Sequence, residues 1–513
     1  MSLTRAVREA AYANPEGIAS ATLDERVTWK QASGRIASLA TELRSRGIEP
    51  GDRVAILALN SWRHFEAQLA VWYAGAVLVP INTRLALDEM RHIVSDSGAS
   101  YLVCDKRFEN VGDILVNSCS LQGMLNLDDA RHADFVSRRV MQDESGGERE
   151  LAAIFYTGGT TGRPKGVMLS HLNFATAAAG MQRDLAHSRN TVYLHAAPLF
   201  HLADFGIALG VTRAAGSHSF MSSFSPAVFY DRLRYEGVTH LQLVPTMLSS
   251  VLDAPERDDS LLANIRSISY GAAPIAEGLL ARVLDAFPKS RLVQFYGMTE
   301  CCGAGVMLPP ERHLLTGPTA GKLRSIGQPI EGFEVKIVDE GMTEQPCGSC
   351  GEIAMRSDSV MMGYWDSDEA TSRTIVDGWL RSGDVGWKDD DGFIYIVDRL
   401  KDMIISGGEN IYCAEVENAI SSHPAVAMIA VIGVPDDKWG ERVHAVVVLR
   451  PEQEVSAEEL DWHCRAHIAG YKVPRSYEIR RDPLPLSGVG KVQKNVLREQ
   501  WFEVVRNRES TDD

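Results

Sequence analysis

Helix-like and strand-like segments alternate through the long N-terminal part of the chain, and this alternation restricts the fold more than any other feature. The apolar run 65–74 predicts a helix and 76–79 a buried strand, and the segments 87–95 and 101–104 repeat the pair. Short connections between such segments are typical of layered α/β architecture. The sequence therefore predicts a large, multi-layer α/β domain over residues 1–399.

The pattern changes close to residue 400. A short strand and a helix are followed there by two β-rich runs, 428–434 and 443–449. These segments predict a smaller C-terminal α+β domain over 400–513. The charged stretch 398–402 joins the two predicted domains and is too short to let them drift apart.

Composition excludes several classes of protein. The chain is 45% hydrophobic and 23% charged, which is a globular composition, and its net charge of -16 argues against a nucleic-acid partner. No apolar run reaches the roughly 20 residues that span a bilayer, so we expect a soluble, cytoplasmic protein without a transmembrane segment. The eight cysteines lack a disulfide-framework spacing, and the pair Cys347 and Cys350 is read as part of a turn rather than as a metal or redox site.

The strongest local signal is the segment 156–166, Tyr-Thr-Gly-Gly-Thr-Thr-Gly-Arg-Pro-Lys-Gly, between two apolar runs. Glycines let backbone N–H groups approach an anion, threonine hydroxyls add donors, and Lys165 adds a positive charge. A Walker-type loop would continue from the lysine into Ser or Thr and a helix, whereas Gly166 and a strand-like run follow here. The segment therefore predicts a phosphate-binding loop between two strands, and a plain surface hairpin would not need this composition.

This loop resembles the signature loop of the adenylate-forming superfamily, which includes acyl-CoA synthetases, adenylation domains of peptide synthetases, and luciferases. Further motifs in the family's order extend the resemblance over nearly the whole chain. They are residues 198–201, 270–274, 296–300, 381–384, 398–402 with 407–410, and 485–491. The resemblance implies a two-domain enzyme that uses ATP to turn a carboxylic acid into an acyl-adenylate and then passes the acyl group to coenzyme A, releasing AMP and pyrophosphate.

The resemblance also implies roles for individual residues. Glu300 is expected to bind Mg²⁺, because hard cations take carboxylate oxygen. Asp384 is expected to hold the ribose hydroxyls, and the ring of Tyr296 to stack on adenine. The implied catalytic residues are Lys491, Glu300, Thr157 and His201. The implied nucleotide site consists of Thr157, Gly158, Gly159, Thr160, Thr161, Gly162, Lys165, Gly271, Ala272, Ala273, Pro274, Tyr296, Gly297, Met298, Thr299, Asp384, Arg399, Gly408 and Lys491.

Three lysines of the predicted C-terminal domain have different expectations. The resemblance assigns Lys491, on a glycine-flanked loop, to the α-phosphate and the acyl carboxylate during adenylation. It makes Lys401 the hinge about which the small domain reorients between the two half-reactions. Lys494 is expected to be an ordinary solvated lysine.

The substrate is expected to be an acid with a neutral tail, because the predicted acyl pocket carries apolar and small side chains and no fixed cation. Its residues are His201, Leu202, Phe205, Tyr270, Gly271, Cys301, Cys302, Gly303 and Ala304. A medium- to long-chain fatty acid is favoured, and an aryl or cinnamic-type acid remains the alternative. An amino acid is disfavoured, since Asp204 is poorly placed to hold a substrate ammonium group.

Coenzyme A is the expected acceptor, because no carrier domain precedes the end at Asp513 and because residues 471–474 resemble those of CoA-using members. The alternatives are a ligase that loads a separate carrier protein, a luciferase-like oxygenase, and a nucleotide sensor without chemistry. A homodimer is compatible with the sequence.

Overall fold

The computed structural model describes residues 3–22, 25–129, 141–157, 164–273, 275, 277–317, 320–399, 402–407, 409–436, 438–486 and 492–509. It divides into two compact units, Met1–Val335 with Met355–Leu380, and Lys336–Ala354 with Arg381–Asp513. The domain boundary at residue 399 stays a prediction, and Lys401 lies outside the described residues.

Most of the first unit alternates helices and strands, as its sequence predicts. In chain order the elements up to residue 296 are α1 Leu3–Ala13, β1 Ile18–Ala21, β2 Arg26–Thr28, α2 Trp29–Ser45, β3 Arg53–Leu57, α3 Trp62–Tyr73, β4 Val77–Pro80, α4 Leu87–Asp96, β5 Tyr101–Cys104, α5 Glu109–Ser118, β6 Met124–Asn126, β7 Leu151–Thr157, β8 Lys165–Ser170, α6 His171–Asp184, β9 Val192–His195, α7 Leu202–Arg213, β10 Ser217–Phe220, α8 Pro226–Glu236, β11 His240–Leu243, α9 Pro245–Leu252, α10 Asp259–Leu262, β12 Ser267–Gly271, α11 Glu277–Ala286 and β13 Arg291–Tyr296.

In the rest of the described chain, strands outnumber helices. They and the remaining helices are β14 Val306–Leu308, β15 Gln328–Pro329, β16 Glu334–Val338, β17 Gly351–Arg356, β18 Gly363–Tyr364, α12 Asp368–Thr374, β19 Ile375–Val376, β20 Trp379–Lys388, β21 Ile394–Arg399, β22 Ile404–Ser406, β23 Glu409–Ile411, α13 Cys413–Ser421, β24 Val426–Asp436, β25 Gly440–Leu449, α14 Ala457–Arg465, β26 Ser476–Arg480 and α15 Lys494–Glu509. Among the helices described, none is long and apolar enough to cross a membrane.

A nine-stranded sheet in the first unit has the order β15-β14-β13-β12-β11-β9-β10-β1-β2. Strands β13, β12, β11, β9 and β10 pair in parallel, which brings their carboxyl ends to one edge. The motifs 198–201, 270–274 and 296–300 follow β9, β12 and β13 at that edge. In open α/β sheets this edge is where ligands bind.

The second sheet of the first unit has the order β18-β8-β7-β4-β3-β5-β6. Strands β7 and β8, which flank the predicted phosphate-binding loop, are antiparallel, with Thr157 opposite Lys165. Strand β18 adds to β8 and places Tyr364 opposite Val167. The loop therefore leaves and re-enters one sheet at neighbouring points.

The second unit contains a sheet of order β23-β22-β25-β24, with β26 paired to β25. Its core is formed by buried aliphatic side chains of these strands and of α13 and α14, including Ile404, Val416, Val447 and Leu460. In the same unit, residues 384–388 of β20 pair with the antiparallel strand β21. The predicted fold class, a large α/β part and a smaller α+β part, is confirmed.

Candidate active site

The two ends of the phosphate-binding loop are held by aromatic side chains and one aspartate. The Tyr156 hydroxyl donates to Asp96 Oδ2 at 2.5 Å, and Trp365 Nε1 donates to the Asp96 carbonyl oxygen at 2.9 Å. A Cβ on Gly166 would lie 2.6 Å from Ile154 Cγ2, so this position requires glycine. Burial and the Asp96 bond raise the pKa of Tyr156. The loop residues Gly158 to Gly162 lie outside the described part of the chain.

Glu300 lies directly after β13 and is connected through one tyrosine to the lysine of the loop. The Tyr364 hydroxyl donates to Glu300 Oε1 at 2.8 Å, and Lys165 Nζ lies 5.2 Å from the centre of the Tyr364 ring. The Glu300 carbonyl oxygen accepts from the N–H of Met361 at 2.8 Å. Glu300 is 7% exposed, so its carboxylate is held in a fixed place rather than solvated. Burial, and after it the Glu300 carboxylate, raises the pKa of Tyr364.

The ends of β12 and β13 approach each other more closely than side chains would allow. A Cβ on Gly271 would lie 2.3 Å from the Phe295 carbonyl oxygen, and one on Gly297 would lie 2.3 Å from that of Gly303. Ala272 takes a left-handed φ of 64° directly after β12. The predicted adenine-binding segments are thus tight backbone turns on neighbouring strands, with Tyr296 half-buried beside them. Pro274 is outside the described residues.

The predicted acyl-pocket residues come from the start of α7, from the end of β12 and from the turn after β13. A Cβ on Gly303 would lie 3.6 Å from the Leu202 carbonyl oxygen, and one on Gly206 would lie 3.9 Å from that of Cys302. The first turn of α7 therefore faces this glycine-containing turn. Cys301 is fully buried, with its thiol bonded to the Met298 carbonyl oxygen at 3.3 Å.

Two residues of the predicted pocket are part of the packed core. Phe205 is fully buried, with its ring centre 5.4 Å from that of Trp72 and 5.9 Å from that of Phe174. Tyr270 is buried, and its hydroxyl is bonded to His313 Nε2 at 2.9 Å. Core packing is sufficient to account for both residue types, and their role in a pocket stays a prediction.

Asp204 already has two partners inside the protein. The Tyr193 hydroxyl donates to Asp204 Oδ1 at 2.8 Å, and Asp204 Oδ2 lies 2.5 Å from His195 Nδ1. The side chains of Asp204 and His195 are both fully buried. His195 Nε2 lies 2.9 Å from His218 Nδ1, which extends the chain of contacts into β10. These contacts account for the aspartate without a substrate ammonium group.

In the second unit, the segment 381–384 is a turn fixed by a glutamate. Glu352 Oε1 accepts from the N–H of Gly383 at 2.8 Å, and Glu352 Oε2 accepts from Arg381 Nε at 2.7 Å. Asp384 is 8% exposed and lies opposite Arg399 in the β20–β21 pair. The two predicted nucleotide contacts of this unit are therefore neighbours across two strands. Sequence reasoning missed Glu352, which stands in a strand 29 residues before Arg381 and has no other signal in the sequence.

Lys494 is paired rather than solvated, so the expectation for this residue is wrong. Its Nζ lies 2.8 Å from Glu417 Oε1, and its side chain is 15% exposed. Burial opposes the charge, but the Glu417 carboxylate outweighs it and raises the pKa of Lys494. Lys401, Gly408 and Lys491 lie outside the described residues, so their predicted roles are neither supported nor contradicted by geometry.

The side chains of the site suit Mg²⁺ better than a metal ion whose ligands all come from the protein. Over the described residues, no group of three or more His, Cys, Asp or Glu side chains could hold a metal ion. Mg²⁺ binds well to one carboxylate, with water and substrate phosphates as its other ligands. A single buried carboxylate, Glu300, therefore suits the ion.

Comparisons with known proteins agree over most of the chain. Residues 7–365 match the family model described as AMP-binding enzyme, and residues 415–491 match its C-terminal domain. A feruloyl-CoA synthase from Amycolatopsis sp is 39% identical over 481 residues, covering 93% of this chain and 94% of that protein. The long-chain-fatty-acid–CoA ligase FadD13 of Mycobacterium tuberculosis is 34% identical over 495 residues, covering 94% of each chain. The crystal structure of ATP-bound MatB from Rhodopseudomonas palustris superimposes with a TM-score of 0.89 at 29% identity, covering 98% of this chain and 100% of that one.

Proposed function

This chain belongs to the AMP-binding enzyme family, and from that premise we propose that it activates a carboxylic acid with a neutral tail as an acyl-adenylate and transfers it to coenzyme A. The enzyme is an acid–thiol ligase that forms AMP, with ATP, Mg²⁺ and coenzyme A as its cofactor and co-substrates. The observation that carries the proposal is the arrangement of Glu300, Tyr364 and Lys165, in which one tyrosine contacts both a buried carboxylate and the lysine of the phosphate-binding loop.

This arrangement suits the first half-reaction. Joining a carboxylate to the α-phosphate of ATP brings two anions together, so the site must supply positive charge and fixed donors. In our proposal Lys165 and the threonines of the loop bind phosphate oxygens, and Glu300 holds Mg²⁺. The ion, when bound, neutralises phosphate charge. Asp384 binds the ribose, and Lys491 stabilises the charge that develops at the α-phosphate.

Two classes of acid are candidates for the substrate. An aryl acid of the cinnamic type is the first candidate, because a relative at 39% identity is named a feruloyl-CoA synthase. A fatty acid is the second candidate, because FadD13 is named a long-chain-fatty-acid–CoA ligase. The sequence-based preference for a fatty acid is not confirmed, and both classes stay open. The internal partners of Asp204 argue against an amino acid.

A panel of acids tests the proposal. We would incubate the full chain with ATP, Mg²⁺ and coenzyme A and one of ferulate, cinnamate, benzoate, decanoate, palmitate, malonate or phenylalanine, and measure pyrophosphate release and thioester mass. We expect thioester from aryl or fatty acids and none from malonate or phenylalanine. Adenylate that accumulates with coenzyme A present would instead favour a carrier protein as acceptor. Pyrophosphate release from no acid would refute the proposal.

A further inference from the structure

The segment between β9 and α7 is held by the side chain of one buried asparagine. Asn60 Nδ2 donates to the carbonyl oxygens of Ala197 at 2.7 Å and of His195 at 3.2 Å. Its Oδ1 accepts from the N–H of Leu199 at 2.8 Å. Asn60 is 8% exposed and stands between β3 and α3, so it reaches the segment from another sheet.

Other buried polar groups hold the same segment. Gln68 Nε2, on α3, donates to the Leu199 carbonyl oxygen at 3.2 Å, and this side chain is fully buried. His195 precedes the segment and Asp204 follows it, and the contact between the His195 ring and the Asp204 carboxylate joins the two ends. Side chains therefore bond the carbonyl oxygens of His195, Ala197 and Leu199 and the N–H of Leu199, which fixes the path of the chain up to His201.

We propose that Asn60 is the positioning residue for the segment 196–201, and that its three bonds set the place of His201 and the start of α7 on the acyl side of the site. The inference rests on the proposed function, in which this segment borders the acid rather than the nucleotide. The two donated bonds fix carbonyl groups on either side of Ala196, and the accepted bond fixes the backbone two residues before His201. Loss of the amide donors therefore displaces the segment without touching β12, β13 or the phosphate-binding loop.

The test uses Asn60→Asp, which keeps the size of the side chain but replaces the amide donor with a carboxylate oxygen that repels both carbonyls. We expect the KM for the preferred acid to rise about tenfold while the KM for ATP changes little. Hydrogen exchange should become faster in a peptide covering 196–201 and stay unchanged in one covering 267–271. If this variant does not fold, Asn60→Ser, which keeps one donor, takes its place.

Asn173→Asp is the matched control. Asn173 is buried and makes the same pattern of bonds. Its Nδ2 donates to the carbonyl oxygens of Asp358 and Val360, and its Oδ1 accepts from the N–H of Ser170. If Asn60→Asp acted only by lowering the stability of the fold, Asn173→Asp would change the KM for the acid equally. Equal changes in the two variants would therefore overturn the inference. Unchanged exchange in 196–201 would also overturn it. A wild-type protein that activates no acid refutes the proposed function instead, and hydrogen exchange still decides the positioning claim.

Discussion

At the scale of single residues, the sequence located the charged groups of the site but not the residues that hold them. Glu300 and Lys165 stand in recognisable motifs. Tyr364 lies 64 residues after Glu300, and no sequence motif connects it with Glu300 or with Lys165. Lys494 was misjudged for the same reason, because its partner Glu417 is remote in sequence. Contacts between distant positions depend on the fold, and a single sequence does not contain them directly.

Tyr364→Phe tests whether the tyrosine orients the proposed Mg²⁺ ligand. The change keeps the ring beside Lys165 and removes the hydroxyl that donates to Glu300. We expect the Mg²⁺ concentration for half-maximal ATP binding, measured by calorimetry, to rise about tenfold, since bonds to charged groups are worth about 1.5–3 kcal/mol. Tyr230→Phe, which removes a buried hydroxyl bonded to the Val251 carbonyl oxygen, is the control and should leave Mg²⁺ dependence unchanged. Equal effects of the two variants would contradict the assignment.

Asp204→Asn tests the role of a second buried carboxylate. Thr212 donates its hydroxyl hydrogen to the Ala208 carbonyl oxygen and so accepts from His218 Nε2. His218 Nδ1 lies 2.9 Å from His195 Nε2, and His195 Nδ1 lies 2.5 Å from Asp204 Oδ2. Both carboxylate oxygens of Asp204 are therefore held by buried partners inside the protein.

The amide of asparagine cannot match both partners of the carboxylate, and a buried polar group left without its partner typically costs about 1–3 kcal/mol, so we expect Asp204→Asn to lower the free energy of unfolding by that amount in urea titrations. If Asp204 instead held a substrate ammonium group, the variant would keep its stability and lose its activity.

At the scale of elements, the sequence was a good guide to strands and helices and a poor one to which side of a helix is buried. The run 101–104 predicts strand β5, and 87–95 predicts α4 to within one residue. Helix α7 is different, because nearly all its residues are buried and its sequence shows no polar face. Nothing in such a pattern separates a residue that lines a pocket from one that packs in the core.

Phe205→Ala distinguishes these two readings of α7. The ring packs against Trp72 and Phe174 and is fully buried, so its removal leaves a cavity. We expect a loss of about 3–5 kcal/mol in the free energy of unfolding. Turnover measured well below the melting temperature should fall by a similar factor for aryl and fatty acids. A selective gain for bulkier acids at unchanged stability would instead place Phe205 in the pocket wall.

At the scale of the whole molecule, family membership and fold class are confirmed predictions, because several motifs in fixed order are specific and because glycine-rich loops after buried strands are visible in sequence. The strand order was not predictable. Strand β9 pairs with β10 and β11, and β4 pairs with β7, about 70 residues away, through contacts that form only on folding. The sequence is compatible with a homodimer, and the oligomeric state stays untested.

Acid stability follows from the buried histidines of the first unit. Burial lowers the pKa of His64, His171, His240 and His313 to about 4 and that of His187 to about 3. Unfolded histidine has a pKa near 6.5, so between pH 6.5 and about 4 the unfolded chain takes up protons that the folded chain does not. Stability is therefore full above about pH 6.5 and decreases as the pH falls, by up to about 1.4 kcal/mol per pH unit for each such histidine.

His187→Leu isolates one of these contributions. Both ring nitrogens of His187 are buried, and neither has a hydrogen-bond partner among the described residues. An apolar side chain removes both the unpaired polar atoms and the proton uptake on unfolding, so we expect the variant to be at least as stable as wild type at pH 7.5 and clearly more stable at pH 5. The measurement is urea unfolding at several pH values, and the quantity compared is the slope of the unfolding free energy against pH, because carboxylates contribute equally to both proteins. His467→Leu, at an exposed position, controls for loss of a histidine as such. A slope for His187→Leu equal to that of wild type would show that His187 is protonated to the same extent in the folded and unfolded protein.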